Sequence, residues 1–395
     1  MNVAIVTYSL NYGGVSTFIL TLAKAFSAKG DTVTIITTES KGIWFEKMQI
    51  PNVTYQYISG LSSWVVPMFF YIHKIAGVFK KQQYDLILVN NAPQVLAALS
   101  VLSEKPVVIS VIHNDHPVLC KNACVNEAMI DSIVAVSPAV YNRAANIVKD
   151  RSKLVQVLNA IEPETEERFL SRQQYKPGES MKIIFIGRLV DEQKGVFLIP
   201  EIAAALKQKN VSFHIELAGE GSDYEKLQQQ IKKLHVEDEV TLLGYVSHSD
   251  IKDKLLQSHV LLVPSYFEGL PLNVLEAMTS GCVPVMSDIL NITDICFKNE
   301  VEGIACKMGE SNSFVQAIDA VYTGNIDWKL LSDNARKKAD IAFSSKRMFE
   351  EYVSLYERAE IKKDYIPSAI PVTLFDLLPK NILNTYIKIK KSFKK

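Results

Sequence analysis

The order of apolar segments at the start of the chain constrains the fold most strongly. An apolar run from Val3 to Thr7 leads into a glycine-containing loop, Asn11 to Gly14, and then into a segment with apolar residues at helical spacing. A second β-branched run, Thr32 to Thr37, follows directly. Strands that are apolar throughout and alternate with helices are typical of parallel sheets covered on both faces. The sequence therefore predicts an α/β fold, with Ser16 or Thr17 capping the first helix.

The same alternation continues in two series of strands separated by a polar stretch. The first series adds strands at 86–89, 107–111, 133–136 and 154–157, and the second has strands at 182–186, 213–218, 240–243, 260–263 and 283–285. The acidic, proline-bearing stretch 162–180 between them is predicted to be a linker. We expect two doubly wound domains, at 1–165 and 180–350, with ligands bound beyond the carboxyl ends of the strands.

The charge of the chain is balanced in total but not in distribution. The 395 residues include 43 Lys and Arg and 43 Asp and Glu, yet residues 1–161 carry a formal charge of +4, residues 162–360 carry −10 and residues 361–395 carry +6. The neutral total argues against a nucleic-acid partner. The basic end, part of the segment 351–395, also has apolar residues at helical spacing, which is typical of a helix on an anionic membrane surface. The alternative for this segment is that its helices return and pack on the first domain.

The cysteines and the apolar segments indicate in which cellular compartment the protein is expected. Five cysteines, with no CxxC pair, do not form a disulfide framework and favour a reducing compartment. The amino terminus lacks the features of a signal peptide. The most apolar long window, Trp64 to Phe79, is 16 residues long and includes Pro67, whereas a membrane span needs about 20 apolar residues. We expect a cytoplasmic protein, peripheral on the inner face of the cell membrane.

One group of residues has the side chains of a zinc site. His113, His116, Cys120 and Cys124 all have side chains that bind zinc, but their spacing matches none of the familiar patterns and Pro117 interrupts the segment. A lone thiol is more often a small buried apolar group. We therefore expect no metal.

The segment from Leu261 to Asp288 has the clearest features of a binding site. A strand ends before a loop that carries Glu268 and Gly269, and Pro271 stands where a helix can begin. Amides at the start of that helix suit an anion such as a phosphate, and Glu268 and Glu276 can accept hydrogen bonds from sugar hydroxyls. The alternative is that both glutamates are ordinary surface residues.

Two further loops follow strands of the second series. Arg188 and Lys194 come after the first strand, where two cations can neutralise a diphosphate. Gly219 and Gly221 come after the next strand, where glycine allows close approach of a ribose or base, although a tight turn also explains them. No GxGxxG sequence is present, so a nicotinamide dinucleotide is not supported.

Together these pieces resemble the family 4 glycosyltransferases. The resemblance covers most of residues 1–360 and rests on an ordered set of segments: GGVSTF, VIHND, AVSPAV, VLNAIEP, GRLVDEQKG, LAGEGSDYEKL and EGLPLNVLEAMTSGCVPV. It implies the GT-B architecture, in which two Rossmann-like domains face a cleft, with the acceptor on the side of the first domain and a nucleotide sugar bound by the second.

The resemblance also implies roles for individual residues. His113 and Glu268 would act on the sugar, with His113 also near the leaving phosphate. The donor would be bound by Gly13, Gly14, Arg188, Lys194, Gly219, Gly221, Gly269, Leu270 and Glu276, with the two cations on the diphosphate and Glu276 on the ribose.

The resemblance implies an activity as well. Members retain the anomeric configuration and use a UDP- or GDP-linked sugar as substrate, without a cofactor or metal. We expect transfer to a surface-polysaccharide or lipid-linked acceptor, as in lipopolysaccharide or capsule synthesis. The alternatives are a soluble sugar or small-molecule acceptor, and a two-domain sugar-binding protein without catalysis.

Overall fold

The chain folds into two compact α/β units. The computed structural model describes residues 1–11, 13–47, 49–58, 68–102 and 105–359. Among the described residues, unit 1 consists of Met1–Leu158 together with the returning segment 348–359, and unit 2 of Asn159–Arg347. The predicted basic tail, 361–395, and the first residues of the apolar window, 64–67, lie outside the described residues.

Unit 1 is built on a seven-stranded parallel sheet of order β3-β2-β1-β4-β5-β6-β7. Its strands are β1 (Asn2–Thr7), β2 (Thr32–Thr37), β3 (Val53–Tyr57), β4 (Leu86–Asn90), β5 (Val107–Ile112), β6 (Ser132–Ala135) and β7 (Leu154–Gln156). Its first helices are α1 (Gly14–Ala28), α2 (Trp44–Lys47), α3 (Met68–Lys81), α4 (Pro93–Ala98), α5 (Pro117–Ala123) and α6 (Pro138–Ala144), with single 3₁₀ turns at Leu99–Val101, Glu127–Met129 and Arg151–Lys153. The central strands are buried almost end to end, because helices cover both faces of the sheet.

The first helix starts earlier than the sequence predicts. It begins at Gly14, and Gly13 precedes it at φ 138° without any side-chain cap. The backbone N–H groups of Ser16 and Thr17 donate to the Gly13 carbonyl at 3.0 and 3.1 Å. The predicted cap at Ser16 or Thr17 is therefore wrong, because the glycine loop itself forms the first turn.

Unit 2 is built on a six-stranded parallel sheet of order β10-β9-β8-β11-β12-β13. Its strands are β8 (Met181–Ile186), β9 (Phe213–Ala218), β10 (Val240–Gly244), β11 (Val260–Val263), β12 (Val283–Ser287) and β13 (Ile304–Cys306). Its helices are α7 (Glu166–Leu170), α8 (Asp191–Lys194), α9 (Leu198–Gln208), α10 (Tyr224–Lys233), α11 (His248–Gln257), α12 (Leu272–Thr279), α13 (Thr293–Cys296), α14 (Ser311–Tyr322) and α15 (Trp328–Ala342). These two sheets confirm the predicted α/β class with two doubly wound units.

The stretch 162–180 is a folded part of unit 2 and not an open linker. It contains α7, and the Arg172 guanidinium lies 3.8 Å from the ring centroid of Phe169 and donates to Ser332 and Asp333. Tyr175 is buried and contacts the ring of Trp328. The acidic composition misleads because a few aromatic and cationic residues fix the segment to the rest of the unit.

The last described helix, α16 (Ser345–Arg358), carries the chain from unit 2 back into unit 1. Within unit 1, Phe349 packs against Phe26 with ring centroids 5.0 Å apart, and Tyr352 packs against Phe18 at 5.9 Å. Phe18, Phe26 and Tyr352 are fully buried, so α16 covers one face of α1. Among the described helices none is long and apolar enough to cross a membrane.

Candidate active site

In both units the predicted site residues lie in segments that follow strands at, or next to, the point where the strand order of the sheet reverses. This reversal falls between β1 and β4 in unit 1 and between β8 and β11 in unit 2. Ligands of open α/β sheets bind beyond the carboxyl ends of the strands at this point, because the loops on either side of it diverge. Gly13, Gly14 and His113 belong to unit 1 and the other predicted residues to unit 2.

Glu268 is held in one orientation in the loop after β11. Its Oε1 accepts hydrogen bonds from Lys194 Nζ at 2.6 Å and from Ser265 Oγ at 2.7 Å. Its side chain is only 7% exposed and that of Lys194 13%. Both donors bind the same oxygen, and Oε2 has no hydrogen-bond partner within the part of the chain that the structure describes. The carboxylate therefore has one anchored oxygen and one oxygen available to a ligand.

Lys194 reaches Glu268 because two loops approach each other closely. Lys194 ends the short helix α8, and the next residue, Gly195, has φ +60°. A Cβ at Gly195 would lie 2.2 Å from the Pro264 carbonyl oxygen, so only glycine fits. The N–H of Tyr266 also donates to the Gln193 carbonyl at 2.9 Å. These contacts bring the predicted cation and the predicted carboxylate together.

Arg188 lies on the same loop as Lys194 but is exposed to solvent. Its guanidinium donates to the Gln193 side-chain oxygen at 2.7 Å. The loop after β8 therefore carries two cations, one anchored to Glu268 and one facing solvent.

Gly219 and Gly221 allow the loop after β9 to lie directly against the backbone of the loop after β8. A Cβ at Gly219, where φ is +154°, would lie 1.8 Å from the Gly187 carbonyl oxygen, and one at Gly221 would lie 2.2 Å from that of Leu189. The Leu189 N–H donates to the Glu220 carbonyl at 2.9 Å. These glycines hold the loop after β9 against the loop after β8, which carries Arg188.

Helix α12 begins directly after Gly269, Leu270 and Pro271, as predicted from the sequence. Asn273 in its first turn donates its Nδ2 to the Ile186 carbonyl at 2.9 Å, which fixes the start of the helix against the end of β8. Glu276 is half-buried, and burial raises its pKa to about 7 although nearby Lys252 opposes the shift. The proton of Glu276 is therefore gained and lost near neutral pH.

His113 directly follows β5 in unit 1. Its Nε2 lies 2.7 Å from Asn90 Oδ1 at the end of the adjacent strand β4. The ring packs edge-on against Phe18, with centroids 4.8 Å apart. Burial lowers the pKa of His113 to about 3, so the ring is neutral at physiological pH. Gly13 and Gly14 form the start of α1 in the loop after β1.

Three of the four residues with zinc-binding side chains have other partners. His113 pairs with Asn90, His116 Nδ1 accepts the N–H of Val118, and the Cys120 thiol donates to the Asn114 carbonyl. Burial raises the pKa of Cys120 to about 11 and that of Cys124 to about 12, which disfavours the thiolate. No group of three or more metal-ligating side chains with suitable geometry occurs in the described ranges.

Sequence reasoning missed the residues that hold the site in place. Ser265, Asn273 and Asn90 bind a carboxylate, a strand end and an imidazole, but polar residues of these kinds are common and their partners are distant in sequence. Gly195 had a usable signal, because it closes the segment GRLVDEQKG after Lys194.

Comparison with known proteins identifies the family of the chain. Residues 12–165 match the model of glycosyltransferase family 4, and residues 166–338 match that of glycosyl transferases group 1. The chain is a family 4 glycosyltransferase. The Anabaena HepE structure in complex with UDP and glucose superposes with a TM-score of 0.74 at 17% identity, covering 90% of this chain and 99% of that chain. The solved structures that superpose on this chain are those of GT-B glycosyltransferases.

The curated relatives of this glycosyltransferase are distant. An uncharacterized glycosyltransferase of Methanocaldococcus jannaschii is 28% identical over 58% of this chain and 60% of its own length. The lipopolysaccharide 1,6-galactosyltransferase of Escherichia coli is 23% identical over 50% of this chain and 54% of its own length. The matches thus span little more than half of each of these two relatives.

Proposed function

We propose that this glycosyltransferase transfers a sugar, with retention of anomeric configuration, from a UDP- or GDP-linked donor to a surface-polysaccharide or lipid-linked acceptor. The observation that carries the proposal is Glu268, whose Oε1 is held by Lys194 and Ser265 while Oε2 is available to a ligand. A buried carboxylate paired with Lys194, with Arg188 on the same loop as Lys194, suits a sugar diphosphate, since hydroxyls donate to the carboxylate and the cations neutralise the phosphates.

Each predicted residue has a role in this proposal. Arg188 and Lys194 stabilise the negative charge that develops on the leaving phosphate, and the amides of Gly269 and Leu270 support the sugar at the start of α12. Glu276 accepts hydrogen bonds from the ribose, and Gly219 and Gly221 shape the loop beside it. Gly13, Gly14 and His113 act from unit 1.

The reaction balances without a cofactor. The acceptor oxygen forms a bond to the anomeric carbon as the bond from that carbon to the phosphate oxygen breaks on the same face. The acceptor proton passes to the released phosphate, and the products are a glycoside and a nucleoside diphosphate. This front-face route needs no carboxylate nucleophile.

Support for the donor and acceptor classes comes from similar proteins. HepE binds UDP and glucose, and the E. coli relative acts on lipopolysaccharide. Both observations favour a nucleotide sugar and a cell-surface glycan here.

The test is substitution of Glu268 in the full-length protein. We expect Glu268→Gln to lower nucleoside diphosphate release from the best nucleotide sugar of a UDP- and GDP-linked panel by at least about 100-fold, because a precisely oriented charge at the reacting centre is lost. The matched control is Glu239→Gln, which removes a surface ion pair to Lys207 in the same unit. Transfer by Glu268→Gln at the rate of the control would reject the assignment, and NMR of the product would test retention.

Membrane binding belongs to the same proposal. Residues 361–395 carry eight lysines and two aspartates, a charge that attracts anionic lipid. Replacing Lys388, Lys390, Lys391, Lys394 and Lys395 by Gln in the full-length protein should abolish sedimentation with phosphatidylglycerol-containing vesicles at 0.1 M ionic strength. Unchanged sedimentation would exclude the tail as the membrane anchor.

A further inference from the structure

Asn90 holds the imidazole of His113 from a fully buried position. It is the last residue of β4 and has no exposed surface. Its Oδ1 lies 2.7 Å from His113 Nε2, and its Nδ2 donates to the Val6 carbonyl of β1 at 3.2 Å. The Asn90 side chain thus joins β1, β4 and the residue after β5 at the reversal of the sheet.

The Val6 carbonyl fixes the direction of both hydrogen bonds. A carbonyl oxygen only accepts, so the Asn90 amide must present its NH₂ group to Val6 and its oxygen to His113. An amide oxygen also only accepts, so Nε2 of His113 must carry the proton. In a neutral imidazole the other nitrogen, Nδ1, is then an acceptor.

The surroundings of the ring keep it in this neutral form. Phe18 packs edge-on against it, and the nearest polar partner, Asn90, is uncharged. His113 as a residue is half-buried, and its Nδ1 has no hydrogen-bond partner among the residues that the structure describes. Nδ1 is therefore the one ring nitrogen that can contact a ligand.

We propose that Asn90 is a positioning residue that fixes His113 as its Nε2–H tautomer, so that Nδ1 accepts a hydrogen bond from a hydroxyl of the transferred sugar. The proposal rests on the proposed function, which puts His113 beside the sugar. It changes the role of His113, because an unprotonated Nδ1 cannot neutralise the leaving phosphate. Charge neutralisation is then left to Arg188 and Lys194.

The first test is NMR of the full-length protein with labelled histidine at pH 7.5. We expect nitrogen shifts and couplings of a neutral Nε2–H tautomer for His113, assigned by its loss in His113→Gln. Asn90→Leu, which removes the acceptor at similar volume, should mix the two tautomers. A wild-type Nδ1–H ring, or Asn90→Leu spectra identical to wild type, would overturn the proposal.

The second test uses kinetics and a variant that keeps an acceptor at Nε2. Asn90→Leu should lower kcat by about 10- to 100-fold with little change in donor KM, because a misplaced contact at the reacting sugar lowers the rate. Asn90→Asp should restore the Nε2–H contact and raise the pH at which His113 gains a proton, since a carboxylate favours imidazolium. The acid limb of its pH–rate profile should therefore move to higher pH.

A matched control separates positioning from loss of stability. Asn2→Leu removes a side-chain hydrogen bond to the Gln83 carbonyl at the opposite end of β1, and it should leave the His113 spectrum and kcat unchanged. If Asn90→Leu fails to fold, Asn90→Asp decides, and an unchanged His113 titration in that variant would overturn the proposal. Absence of transfer by the wild type from every nucleotide sugar would reject the proposed function and leave the tautomer result standing.

Discussion

The two units share one plan of sheet but differ in the chemistry at its carboxyl edge. At the strand reversal, unit 1 has uncharged hydrogen-bonding groups, such as the His113–Asn90 pair and a Gln94 amide that donates to the Tyr8 hydroxyl. At the equivalent place unit 2 has an ion pair between Lys194 and Glu268, with Arg188 close by in sequence. The fold supplies the location in both units, and a few side chains decide whether the edge suits hydroxyls or a diphosphate.

Alanine substitutions in the glycine loops of the two units should differ most in their cost to stability. Gly219→Ala would put a Cβ 1.8 Å from a backbone oxygen that cannot rotate away, whereas a Cβ at Gly13 has nothing within 4 Å. We expect Gly219→Ala to lower the free energy of unfolding of unit 2 by roughly 4 kcal/mol or more. Gly13→Ala should cost only the strain of positive φ, about 1–3 kcal/mol. Urea unfolding of both variants measures the difference, and equal losses would contradict it.

The next largest loss of stability is expected on breaking the ion pair between Lys194 and Glu268 in unit 2. Lys194→Met leaves the Glu268 carboxylate buried without its cation, which should destabilise the unit by about 3–5 kcal/mol. Lys207→Met breaks a pair whose lysine is 45% exposed, and the cost should stay below about 1 kcal/mol. Denaturant unfolding compares the two variants. A loss as small for Lys194→Met as for Lys207→Met would mean that Glu268 is well solvated.

A buried histidine also makes the stability of unit 2 depend on pH. Burial lowers the pKa of His259 to about 4, and its Nδ1 accepts the N–H of Lys182 at 2.9 Å. The unfolded chain gains this proton first, below its ordinary pKa of 6.5, so stability falls as the pH drops from 6.5 to about 4. The total loss from this group is at most about 3 kcal/mol.

His259→Asn tests this directly, since the Asn oxygen can replace Nδ1 as acceptor but does not titrate. Fluorescence of Trp328, whose ring lies 5.8 Å from that of His259, reports unfolding of this unit. We expect a flatter pH dependence of unfolding in His259→Asn. A slope identical to that of the wild type would assign the acid sensitivity to other groups.

The smallest effect concerns donor binding by unit 2. With a pKa of about 7, Glu276 loses its charge as the pH falls from 8 to 6, and a protonated carboxyl accepts fewer hydrogen bonds from ribose hydroxyls. We expect the donor KM to rise by up to about tenfold over this range. Glu276→Gln should have a high KM at both pH values, with Glu239→Gln as the unaffected control. A pH-independent KM in the wild type would exclude this role.

Much of the fold follows from local pattern, and its departures have physical causes. Strands Phe213–Ala218 and Val260–Val263 were predicted at their observed bounds, because the first alternates buried apolar with partly buried polar residues and the second is a short apolar run that is buried throughout. Strands β3 and β13 were missed, since β3 is a partly exposed edge strand with polar residues and β13 has only three residues. Their position depends on pairing with a neighbouring strand, which no local window contains.

The candidate site, like the fold, was predicted only in part from the sequence. The sequence predicts Lys194 and Glu268 individually, and the structure places them 2.6 Å apart across 74 positions. The contacts that orient the site, from Ser265 to Glu268 and from Asn90 to His113, depend on tertiary packing. Sequence therefore gives the candidate side chains, and the structure gives the atoms that those side chains present.

The route of α16 sets the order in which the protein can be completed during translation. Unit 1 gains Met348, Phe349 and Tyr352 only after the ribosome has made all of unit 2. Until then, the side chains of Phe18 and Phe26 on α1 lack the covering that α16 gives them. The first unit to be synthesised is thus the last to be finished, and its exposed apolar face is the surface on which chaperones would act during synthesis.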